Sequence, residues 1–103
     1  MTHGQLYQLL KKMKIPVRYD HFDYEVKPPY LCFWSTGRSY ILADDKAYIK
    51  LHDYEIGLYV KEKNPELEEK LEKLLDSAEL VYQTDETYIS EQDVYVITYS
   101  IQI

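Results

Sequence analysis

The sequence predicts an α+β fold, a mainly antiparallel sheet with two helices packed on it, in the order α-β-β-β-β-α-β-β. Residues 3–13 and 65–76 place leucines three and four apart, the period of an amphipathic helix. Most of the remaining chain alternates apolar and polar side chains with the strand period of two. Prolines and Asp- or Gly-containing clusters punctuate these segments where turns are needed. At 103 residues the chain has the size of one unit, so 1–103 is read as a single α+β domain.

The first helix sets Leu6, Leu9, Leu10 and Met13 on one stripe, with Gln5, Gln8, Lys11 and Lys12 elsewhere. Pro16 stops it, because proline bars the preceding residue from helical geometry and removes a backbone donor. Arg18–Phe22 is expected to be the first strand. The Pro28-Pro29 pair then opens a central strand, Tyr30–Trp34. Its unbroken apolar character calls for cover on both faces, by a helix on one and a neighbouring layer or subunit on the other.

Ser35–Arg38, with Gly37, is expected to turn the chain. Ser39–Leu42 and Ala47–Leu51 then flank a turn at Asp44-Asp45-Lys46. The apolar positions Ala47, Ile49 and Leu51 are odd, whereas Tyr54, Ile56, Leu58 and Val60 are even. That change of parity predicts a bulge or strong bend near His52-Asp53.

The second helix is announced by Asn64-Pro65, a cap followed by a residue suited to the first helical position. Glu66, Glu68 and Glu69 favour its positive end. Leu67, Leu71, Leu74 and Leu75 form its apolar stripe, with Glu66–Lys70 and Glu69–Lys73 as favourable pairs outside. Leu80–Thr84 and Thr87–Ile89 read as strand bent at Asp85-Glu86, before a turn at Ser90–Asp93. Tyr95, Ile97, Tyr99, Ile101 and Ile103 alternate to the final residue. Such a strand either lies inside the sheet or offers an edge to another chain.

Eighteen acidic against twelve basic side chains give a formal charge of −6, the wrong sign for gripping phosphate backbones. Sequence-specific nucleic-acid binding is not expected. The basic group Lys11, Lys12, Lys14 and Arg18 suits the negative end of the first helix. No apolar run approaches the roughly 20 residues that cross a bilayer, so neither a membrane partner nor a secretory route is expected. Cys32, the only cysteine, excludes an internal disulfide and makes a cysteine-based zinc site very unfavourable. Its apolar neighbours should raise its thiol pKa, which suits a small core residue and not a nucleophile.

His3, His21 and His52 lack metal-ligand spacing, and Gly4, Gly37 and Gly57 are too scattered for a phosphate-binding loop. Asp20, His21 and Asp23 could meet in a loop, but three polar residues at the end of a surface strand are the simpler reading. Asp44-Asp45 and Asp85-Glu86 read as solvated turn carboxylates. No catalytic, cofactor or metal residue is therefore assigned, and no enzyme activity is expected. The unusual feature is twelve tyrosines, including Tyr40, Tyr48, Tyr54 and Tyr59. Half-exposed strands favour tyrosine, and protein interfaces use it heavily.

The chain resembles a family of tail-terminator or tail-completion proteins from tailed phages and prophages of Gram-positive bacteria. The likeness lies in Pro28-Pro29-Tyr30-Leu31, in Asp53-Tyr54-Glu55-Ile56 with Leu58-Tyr59, in the helix from Asn64-Pro65 to Leu75, and in Glu86-Thr87-Tyr88 and Tyr95–Tyr99. It implies a homo-oligomer, a hexameric ring that caps the tail tube and meets the head connector. It also implies a place in the host cytoplasm during assembly and then in the virion. A head-side connector of the neck, or a monomeric protein-binding regulatory module, is the alternative. Because loops carry variable recognition, subunit or tube contacts are expected in Phe22–Pro29 and Ser35–Lys46, at Tyr24, Trp34, Arg38, Tyr40, Asp44 and Asp45.

Overall fold

The structure, a computed structural model, describes residues 1–43 and 47–103, with side chains described outside 41–49. It has the expected α+β architecture, two helices on a five-stranded, mostly antiparallel sheet. In chain order the elements are α1 (His3–Lys11), β1 (Val17–Tyr19), β2 (Tyr30–Ala43), β3 (Ala47–Val60), α2 (Pro65–Ser77), β4 (Tyr82–Ile89) and β5 (Val94–Gln102). Across the sheet the strands run β1-β2-β3-β5-β4.

Local chemistry explains both helix starts. Thr2 accepts from the Gln5 amide while the Gln5 side chain accepts from the Thr2 amide, a capping box that satisfies two otherwise free donors. Asn64 accepts from the Leu67 amide, and Pro65 takes the first helical position. The Glu69–Lys73 pair forms at 3.7 Å. Lys70 does not reach Glu66; its Nζ donates instead to the Met13 carbonyl at 3.3 Å, tying α2 to the end of α1.

Both helices lie on one face of the sheet. Leu6, Leu9, Leu10 and Met13 of the α1 region and Leu71 and Leu75 of α2 share one core with Leu31, Phe33, Ile56, Leu58, Ile97, Tyr99 and Ile101. Each such side chain contributes about 1.5–3 kcal/mol when fully buried, which makes this layer the main source of stability. Tyr99 keeps its ring in that core and donates its hydroxyl to Glu72 at 3.0 Å. Burial, reinforced by the Glu72 carboxylate, pushes the Tyr99 pKa up.

Three departures from the sequence reading have physical causes. The strand segments Tyr30–Trp34 and Ser39–Leu42 belong to one long strand, β2, and Ser35–Arg38 does not turn. The ladder slips there, with Ser35 opposite Tyr54 and Gly37 opposite Asp53, so Thr36 is the extra residue of a bulge. Gly37 adopts φ +151, a conformation that favours glycine, which accounts for its presence without a turn. The bulge expected at His52-Asp53 lies instead on the facing strand; β3 carries no extra residue there, so its odd and even positions keep their faces.

Next, β1 covers only Val17–Tyr19 and pairs in parallel with Leu31–Phe33 of β2. The ladder ends as Asp20, at φ 68, turns the chain away. Third, Asp85-Glu86 does not bend the chain: β4 is continuous, with Asp85 opposite Thr98 and Glu86 opposite Ile97. An edge strand tolerates such charges because its outer side is wet. Of the two places expected for the terminal strand, β5 takes the inner one, between β3 and β4, so the edges are β1 and β4.

Candidate functional site

Cross-strand partners share a face, so the register identifies what the helices leave uncovered. Tyr30, Cys32 and Trp34 of β2 stand beside Tyr59, Gly57 and Glu55 of β3, then Val96, Thr98 and Ser100 of β5. Gln83, Asp85 and Thr87 of β4 complete this second face. Parity alone places them opposite the helix-bearing residues Leu31, Phe33, Ile56 and Leu58.

One half of this face is aromatic. Tyr30 and Tyr59 stack with ring centres 4.7 Å apart, and Phe22 meets Tyr30 edge-on at 5.4 Å. Tyr24 in turn packs edge-on against Phe22 at 5.9 Å. Gly57 lets the row continue: a Cβ there would stand 3.0 Å from the Tyr59 ring and 3.2 Å from the Trp34 ring. The segment 20–29 folds over part of this row and walls an open groove of about 730 Å³ with Tyr30, Cys32, Tyr59, Ile89 and Val94. Within it Cys32 is 5% exposed, and burial pushes its thiol up to about 11 from an ordinary 9.0. A thiol so raised stays protonated near neutral pH, so it packs and does not attack.

The other half is polar. Asp53 accepts from the Ser39 hydroxyl at 3.0 Å and from the Gln102 amide at 2.8 Å, binding β2, β3 and β5 together side by side. Near it a second groove opens between Thr36, Glu55, Val81, Gln83 and Ser100, where Val81 is 87% exposed.

The polar residues at the end of β1 do come together. His21 Nδ1 lies 2.7 Å from Asp20 and Nε2 lies 3.3 Å from Asp23, which also accepts from Arg18 at 3.1 Å. The Asp20 carboxylate raises the His21 pKa, chiefly through that hydrogen bond. All four side chains are largely exposed, so the cluster ties the loop to β1 in a wet setting. Among the described residues no group of three or more His, Cys, Asp or Glu is arranged to hold a metal.

The sequence-selected contact residues therefore separate. Tyr24, 64% exposed, and half-buried Trp34 share the uncovered face. Arg38 and Tyr40 lie past the bulge in β2, opposite His52 and Lys50, where the β2–β3 ribbon runs beyond the last β5 residues; both are exposed. Asp44 and Asp45 lie outside the described residues. The sequence reading missed Tyr30, Tyr59 and Gly57 as one surface. The signal was in the pairing of two strands, which no single segment displays. No protein-family model matches the chain, and no curated protein is significantly similar to it.

Proposed function

We propose that this chain is a structural assembly protein of a tailed-phage or prophage particle, a tail-terminator or tail-completion subunit without catalytic activity or cofactor. In this reading copies join into a ring, a hexamer, that caps the tail tube and meets the head connector. It works in the host cytoplasm during assembly and then at the tail end or neck of the virion.

The observation that carries the reading is β4, an eight-residue edge strand whose six inner positions are exposed. An exposed edge of that length is a template for another chain, whereas proteins that stay single usually shorten or cover it. The aromatic row on β2 and β3 supports the same class of function, since rings with one polar end suit surfaces that pass from water to a partner. Charge agrees with a role around DNA: copies at −6 each form an acidic ring through which a duplex slides without adhering.

Light scattering followed by electron microscopy, with and without purified tail tubes, tests the proposal. A multiple of the chain mass and density at one tube end are expected. A single chain at high concentration that ignores tubes, or one that turns over a small substrate, would falsify it.

A further inference from the structure

Strand directions restrict how two copies can meet. Taking β2 as running upward, β1 also runs up, β3 down, β5 up and β4 down. A second copy added beside β4 in the same orientation therefore brings an upward β2 against a downward β4, which is antiparallel pairing. On that flank β1 covers only Leu31–Phe33, and among the described residues nothing pairs with the outer edge of β2 beyond it. Past the bulge, Gly37–Ala43 is close in length to the eight residues of β4.

We infer that copies of the chain join head to tail by strand addition, β4 of one against the outer edge of β2 in the next, with Glu86 facing Arg38. This rests on the ring reading above and names its joint. Side-chain parity allows it. Glu86 pairs with Ile97 and Arg38 with His52, positions on the helix-bearing side, so a sheet continued across two copies sets both on one face. Exposed Arg38 has no ion-pair partner among the described residues. Glu86 meets Lys63 at 2.8 Å in a solvent-exposed pair, a weak competitor.

The same charges disfavour the simplest rival. A two-fold pairing of β4 with β4 keeps partners on one face, so centring it on Asp85 or Glu86 sets that carboxylate against its own copy, and like charges directly opposite destabilise a sheet. Head-to-tail contacts use two different surfaces, so they generate rings when the rotation closes.

Charge swaps test the joint. Arg38→Glu and Glu86→Arg are each measured by light scattering, alone and as an equimolar mixture, with circular dichroism to show that the fold is kept. Each variant alone is expected to fall to the mass of a single 12.4 kDa chain. The mixture is expected to regain the wild-type mass, because alternating copies place opposite charges at every joint. Arg38→Gln and Glu86→Gln remove charge with less change of shape, and both should raise the concentration needed for assembly. If the wild type assembles only on tube ends, capping of tubes is scored in the same way.

Wild-type assembly that neither swap disturbs would overturn the joint and leave the ring standing. So would tighter assembly of Glu86→Gln with both Arg38 variants silent, the mark of two-fold β4 pairing. A wild type that stays single both in solution and on tubes would remove the ring reading and the joint together.

Discussion

The two faces of the sheet are stabilised in different ways. Beneath the helices, Leu31, Phe33, Ile56, Leu58 and Tyr99 are fully enclosed in one continuous core. On the other face Cys32, Val94 and Val96 are buried beside one irregular segment, while Trp34 is only half-buried and Asp53 and Gln102 form a hydrogen-bonded polar surface. Folding stability is thus concentrated on one side, which leaves the second face and the margins of the sheet free to serve recognition. An aromatic surface that contributes little to the core can change its contacts without unfolding the chain.

The contrast is most exposed to a comparison of truncations. Leu58→Ala and Leu71→Ala remove fully buried side chains from the helix-bearing side and should each cost about 2–5 kcal/mol in urea unfolding. Thr87→Ala on the open face, an exposed edge position, should cost within about 0.5 kcal/mol. Equal losses at Leu58 and Thr87 would show that the two faces bear the fold jointly.

Because it is buried, Cys32 makes the stability of the open face depend on pH. Its pKa is raised on folding, so the folded state holds the proton more tightly. The resulting stability is fully present below the ordinary 9.0 and is lost as pH rises through about 11. At one pKa unit per ~1.4 kcal/mol, the loss is on the order of 2–3 kcal/mol. The folded-state pKa values of Tyr30 and Tyr59 are raised by the same burial and add to the alkaline decline. Comparison with Cys32→Ala isolates the thiol: the stability gap between wild type and variant should shift toward the variant between about pH 9 and 11. A gap constant over that range would show the thiol to be open to water.

Gly57 probes the packing of the aromatic row. In Gly57→Ala the new methyl would press on the Tyr59 and Trp34 rings, and one of them must move. The expected cost is about 1–3 kcal/mol, typical of overpacking. Trp34 is the only tryptophan, so its fluorescence reports the displacement directly. An unchanged emission maximum would mean that Tyr59 alone yields.

How much of this was readable in the sequence depends on where each signal lives. Both helices were legible because leucine stripes, the Asn64-Pro65 start and Pro16 are local, although the Thr2 cap of α1 was not read. The inward face of β5 followed from strict alternation at Ile97, Tyr99 and Ile101. The parallel pairing of β1 was not legible, because three residues carry no mark of direction. Gly37 supports a bulge as readily as a turn, and Asp85-Glu86 suits a wet edge as readily as a bend, so composition misled at both. Tyr24 and Trp34 could be selected as aromatics, but their shared surface needed the Tyr30–Tyr59 and Gly57 register.

The smallest effect is expected at His21, and it sharpens the comparison because the groups around it look as if they should matter. Asp20 and Asp23 flank the ring, and its raised pKa means that any stability it lends is present below the ordinary 6.5 and fades as pH rises through the folded value. The ring is exposed, however, so water and salt screen both carboxylates. Proton NMR should place the His21 midpoint above 6.5 at low salt and move it back toward 6.5 as ionic strength rises toward about 1 M. Over the same pH range His21→Ala should leave the melting temperature where it is. A melting temperature that falls with this substitution would mean that the polar cluster holds the segment over the open face, and stability would then be shared more evenly between the two sides.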